Sequence, residues 1–140
     1  MLATTIEMSA RLLHCGVPAN TADMCYDSGA LSLMDYDSAL HERDSRRETY
    51  EIIPAWSLNA LLSLLPKEIA IDGYAYRISI YFENPDEPVI GNQWCLYYKP
   101  KKHNEKSRID DVPRYAPDLI ECAVLMIEWL TANNYKLNQL

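Results

Sequence analysis

Glycine is scarce in this chain, with four in 140 residues at positions 16, 29, 73 and 91. Neither GxxxxGK nor GxGxxG can be built from those positions, so the glycine-rich phosphate cradles are excluded. Collagen-like repeats are excluded on the same ground. No run approaches the roughly 18 apolar residues of a membrane-spanning helix. The first sixteen residues lack a basic leader and carry Glu7 and Arg11 inside their apolar stretch, so a secretory signal is not expected. Cys15, Cys25, Cys95 and Cys122 form no CxxC pair, which rules out a zinc ribbon or a thioredoxin motif. A Gly-x-Ser-x-Gly elbow is missing, and His14, His41 and His103 stand in no catalytic motif. No catalytic residue, cofactor or metal ligand is assigned.

What is present is apolar and tyrosine-rich: 49% hydrophobic residues, ten tyrosines and a single phenylalanine. A chain of this length is one average domain and buries about two-thirds of its unfolded surface. Each cysteine lies in an apolar stretch, so buried free thiols are expected rather than disulfides, and the location is read as cytoplasmic. The net charge of −7 is uneven, with +4 on residues 99–108 and −11 on the remainder. An acidic body argues against a dedicated nucleic-acid binder.

Along the chain, Thr4 or Thr5 caps a helix to Cys15, ended by Gly16 and Pro18. Asn20 with Asp23 resembles a capping box and predicts one helical turn over 21–25. Residues 26–29 read as a turn, 30–36 as a short strand, 41–48 as a charged surface loop, and 50–53 as a strand ended by Pro54. Ser57 caps a helix over 57–65 whose stripe is Leu58, Leu61, Leu62 and Leu65. Trp56 is the staple before it, and Pro66 stops it. Asp72-Gly73 is a type I′ turn. After it Tyr74, Tyr76, Ile78, Ile80 and Phe82 alternate with Ala75, Arg77, Ser79 and Tyr81, a strand with one buried face. Residues 84–92 read as a loop, and 93–98 as an antiparallel partner strand with Trp94, Leu96 and Tyr98 on one face. The longest helix spans 118–133. Its polar stripe is narrow, so it is expected either sandwiched in the core or partly covered by another copy.

The candidates for chemistry are few. Asp35 and Asp37 would share a face on a strand and could begin a Mg²⁺ nuclease site. His14, Cys15 and Cys25 match no standard metal spacing. The basic run 99–108 reads as a solvated loop or as a contact surface for an acidic partner. Five tyrosines (74, 76, 81, 97 and 98) fall on the expected sheet, and tyrosine suits half-buried faces and interfaces.

The blocks Gly16-Val-Pro18 with Asn20-Thr-Ala-Asp-Met24, Ile53-Pro-Ala-Trp-Ser-Leu-Asn-Ala-Leu-Leu-Ser-Leu-Leu-Pro66, and Glu-Trp-Leu followed by Asn-Asn-Tyr135 carry a resemblance. In order and over nearly the whole chain, it is similar to a family of small uncharacterised proteins from prophages and conjugative elements of gut bacteria. The resemblance implies an accessory protein of a mobile element and transfers no site residue.

The expected fold is a single α+β domain over 1–140. It has an antiparallel sheet of three to five strands packed on two main helices, with a short N-terminal helix. The expected function is non-enzymatic: binding a host or element protein through an aromatic, acidic surface. The contact residues proposed are Tyr81, Tyr97, Lys101 and Lys102, with a homodimer as an alternative use of the same surface. Nucleic-acid and membrane partners are not expected. The runner-up is a small-molecule or nucleotide sensor with a pocket between sheet and helices, where Arg77 or Lys101 would meet an anion.

Overall fold

A computed structural model describes residues 1–83, 93–102 and 114–138. Helix α1 (Ile6–His14) begins where the Thr5 hydroxyl accepts from the Met8 N–H, and it ends at Gly16 in the left-handed region (φ +90°). A single 3-10 turn follows over Ala19–Thr21, and the chain is already extended at strand β1 (Met24–Asp27). The turn predicted over 21–25 is thus displaced. Asp23 does not close a box with Asn20. It accepts from the Ser57 N–H (2.9 Å) and hydroxyl, tying this segment to a helix start far along the chain.

Ser28 and Gly29, both at positive φ, make the reversal from β1 to β2 (Ala30–Ser32), so Tyr26 and Asp27 belong to a strand, not to the turn. Residues 41–48 give the clearest correction. Most of that stretch is helix α2 (Tyr36–Ser45), capped by Asp35. Its apolar face is small because only Ala39 is buried. A Glu42–Arg46 pair one turn apart and an Arg43 bond to the Tyr50 carbonyl (3.2 Å) support it instead. Strand β3 (Ile52–Ala55) contains Pro54 rather than stopping at it. The sheet order β2-β1-β3 makes β3 an edge strand, where a missing N–H is tolerated.

Helix α3 (Leu58–Leu64) starts as expected, with the Ser57 hydroxyl accepting from the Ala60 N–H (3.2 Å). The second sheet is antiparallel throughout: β4 (Glu68–Ile71), β5 (Tyr74–Glu83), β6 (Gln93–Pro100) and β7 (Arg114–Ala116), in that order. Asp72 and Gly73 both take positive φ in the β4–β5 turn. Helix α4 (Leu119–Ala132) is capped by Asp118 and meets α1, α3, β6 and β7, so it is sandwiched within this chain. Arg11 of α1 pairs with Glu128 of α4. The architecture is therefore α+β, with the strands divided between two sheets.

The main core joins Leu12, Trp56, Leu61, Leu64, Tyr76, Leu96, Tyr98 and the inner side of α4. Cys25, Cys95 and Cys122 are buried and Cys15 is half-buried; all four are free thiols. Burial pushes the Cys122 thiol up to about 11, and the Cys25 thiol is raised for the same reason. Only the thiolate is a good nucleophile, so at about pH 8 a disulfide-exchange reagent should label Cys15 promptly and the others only on unfolding. Thiol counting with and without denaturant checks this. Prompt labelling of more than one thiol would contradict the burial described.

Candidate interaction surface

Strand side chains alternate between faces. The even-numbered residues of β5 and β6 turn Tyr76, Leu96 and Tyr98 into the core, so the odd-numbered ones form the outer face. Register places Arg77 opposite Lys99, Ser79 opposite Tyr97, and Tyr81 opposite Cys95, which in turn lies opposite Tyr115 of β7. Glu68 of β4 lies opposite Arg77. The outer face thereby divides into an aromatic end and a basic end.

At the aromatic end the rings of Tyr81 and Tyr97 meet edge to face, with centroids 5.5 Å apart. The Tyr81 and Tyr115 hydroxyls are 3.3 Å apart. Cys95 lies on this outer face with 0% exposure, flanked across the ladder by Tyr81 and Tyr115. Hydrogen bonding to Tyr115 and then to Cys95, with partial burial, pushes the Tyr81 hydroxyl far above the ordinary phenol range. Either hydroxyl of the Tyr81–Tyr115 pair can be the donor. Tyr81 and Tyr115 still expose 39% and 42% of their surface. The trio thus combines a fixed packing with an accessible aromatic area, the combination that favours interfaces.

At the basic end two cations, Arg77 and Lys99, face each other directly across the ladder, an arrangement that is unfavourable in isolation. Glu68 partly offsets it. Its carboxylate lies 2.7 Å from Lys101 Nζ and 3.6 Å from Arg77. The Lys101 hydrogen bond and charge hold the Glu68 carboxyl below the usual carboxylate range. Among the described side chains of this face Glu68 is the one acid, and it pairs with Arg77 and Lys101. A shallow groove of about 170 Å³ runs between Arg77, Ser79, Lys99, Pro100 and Lys101.

The four expected contact residues are thus placed as follows. Tyr81 and Tyr97 touch each other, and Lys101 stands at the basic end of the same face. Lys102 follows β6 and lines a separate hollow of about 320 Å³ with Gly73, Tyr74, Ala75 and Lys101. The expected acidic character is corrected, since the tyrosines adjoin cations. Arg77 and Lys101, expected as anion contacts in a pocket between sheet and helices, lie instead on the sheet face opposite the helices. Of the basic run, residues 103–108 lie outside the described residues, as do the loop 84–92, His103 and the Asp110-Asp111 pair.

Asp35 and Asp37 do not share a strand face. Asp35 is the cap of α2, accepting from the Ser38 N–H (3.0 Å) and hydroxyl (2.7 Å), and those bonds lower its carboxyl below the ordinary value. Asp37 lies in the first turn of the same helix. Among the described residues no group of three or more His, Cys, Asp or Glu side chains could hold a metal ion. No described helix is long and apolar enough to cross a membrane.

Sequence reasoning passed over Tyr115 and Glu68. Tyr115 sits in a three-residue strand, too short for alternation to register, and Glu68 gains meaning only through the β4–β5 register. No protein family, curated protein or solved structure matches this chain.

Proposed function

We propose that this protein is a non-enzymatic interaction module, an accessory protein of a phage or other mobile element acting in the cytoplasm. It binds a host or element protein through the outer face of β5–β6–β7. The observation that carries the reading is the trio of Tyr81, Tyr97 and Tyr115, the first and last of them exposed, beside the cluster of Arg77, Lys99 and Lys101. Aromatic anchors ringed by polar groups are the usual energetic centre of a protein interface. The test is capture from host lysate by tagged wild type and by the Tyr81→Ala/Tyr97→Ala variant, with nuclease controls. Wild type should enrich a nuclease-insensitive protein. The variant should lose it by tenfold or more, since losing two anchors costs upwards of about 2 kcal/mol. Unchanged capture by a folded variant would reject the face.

A second reading is favoured by one observation, the groove of three cations and Ser79 one ladder step from Tyr97. A nucleotide could set its phosphates on the cations and its base against the ring. A rise in melting temperature across a nucleotide panel would support this, because a ligand of the native state alone stabilises it. A flat response would remove it.

A further inference from the structure

The edge of β5 away from β6 is only half covered. β4 runs beside Tyr74–Arg77, and the ladder closes where the Ile78 N–H donates to the Lys67 carbonyl (3.0 Å). In an antiparallel ladder, residues that bond to one neighbour recur at every second position. Ile80 and Phe82 therefore aim their N–H and C=O groups along the same row as Ile78, past the end of β4. Among the described residues no strand pairs with them on that side. Their side chains are open as well, at 40% exposure for Ile80 and 50% for Phe82. Proteins ordinarily blunt such an edge with lysine, proline or a bulge. Residues 78–82 (Ile-Ser-Ile-Tyr-Phe) contain neither lysine nor proline, and their register with β6 is unbroken.

Beside this edge lies a groove of about 440 Å³ whose apolar walls are Leu62, Leu65, Ile78 and Ile80, with Lys67 lining it too. An open row of backbone donors and acceptors with an apolar groove beneath alternate residues is the geometry that takes an added strand. We propose that residues 78–82 of β5 receive an extended segment of a partner protein as that strand. Its apolar side chains, at every second position, enter the groove. An acidic residue between them, on the outer face, meets Arg77, and an acid at the end beside β4 meets Lys67. The cations set this polarity, since the one described acid nearby, Glu68, is already paired with Lys101 and Arg77. A second copy is a poorer occupant. Five residues give an edge only about 17 Å long, too short to bury by itself the roughly 1,200 Å² of a stable protein–protein interface. The edge adjoins the tyrosine face and shares Tyr81 and Arg77 with it, but the open backbone row does not depend on that face being a contact surface.

The test uses the full chain and a blocked seven-residue peptide alternating Glu and Val, followed by amide exchange in NMR spectra. Controls are the Lys/Val peptide, the Glu/Val peptide with Pro at its centre, and the Ile80→Lys variant. That variant puts a charge in the groove at an already exposed position and should fold normally by circular dichroism. At a free peptide concentration about ten times its dissociation constant, exchange at the Ile80 and Phe82 amides should slow about tenfold. The Lys/Val and Pro peptides and the Ile80→Lys variant should show no such slowing. Unchanged exchange at both amides with the Glu/Val peptide would overturn the proposal. So would equal protection by the Lys/Val peptide, protection that grows with protein concentration alone, or protection already complete in the free monomer.

Discussion

Replacing Trp56 with Ala is expected to remove about 3–5 kcal/mol of stability, the range for deleting a large aromatic from a packed core. The indole is fully buried, and its neighbours in the core come from α1, α3 and α4. Its Nε1–H donates to the Thr21 hydroxyl (2.9 Å), so the substitution also strips a partner from the 3-10 turn. Trp56 precedes the Ser57 cap, and the cavity would open where the chain enters α3. A domain of this size has only about 5–15 kcal/mol in hand, so the loss is a large fraction of the total. Urea unfolding should show a midpoint far below that of wild type with little change in slope. A shift of less than about 1 kcal/mol would mean that the core closes around the gap, against the packing described.

Thr4→Val should cost about 2–6 kcal/mol although the two side chains have nearly the same shape, because two buried polar partners lose a bond at about 1–3 kcal/mol each. The Thr4 hydroxyl lies 2.8 Å from the Ser9 hydroxyl and accepts from the Trp56 N–H at 3.0 Å. Its backbone is also engaged, donating to the Trp56 carbonyl (2.9 Å) and accepting from the Tyr26 hydroxyl (2.8 Å). Valine keeps the backbone bonds and removes the hydroxyl, so the experiment isolates one group. Combined with Trp56→Ala the effects should be non-additive, since both act on one network. Denaturation of the two single variants and the double variant checks both values. A neutral Thr4→Val would show that water satisfies the exposed partners.

These two residues also mark what a linear reading recovers. Ser57 as a cap and the Asp72-Gly73 reversal were legible because caps and type I′ turns act within a few residues; of the expected leucine stripe Leu61 and Leu65 are buried, Leu58 and Leu62 are half-buried, and Leu64 is buried in addition. The alternation of β5 and β6 was legible for the same reason, down to which face is buried at Tyr76, Leu96 and Tyr98. Thr4, Asp23 and Tyr26 were not. Their roles depend on partners 22 to 52 positions away, for which no local pattern exists. Helix α2 was missed because its charged sequence offers little apolar periodicity, and a cap with ion pairs carries it instead. The proposed contact face was half legible. Alternation put Tyr81 and Tyr97 on one side, but only register brings Cys95 and Tyr115 to them and Glu68 to Arg77.

The most direct measurement of the interaction reading is hydroxyl-radical footprinting of the captured complex against the free protein. Tyr81 and Tyr115, accessible alone, should be protected severalfold in the complex. Leu33, 82% exposed and directly after β2 of the three-stranded sheet, should label equally in both states. Equal labelling of Tyr81 and Tyr115 with and without the partner, or protection centred on Leu33, would contradict the outer sheet face as the contact surface.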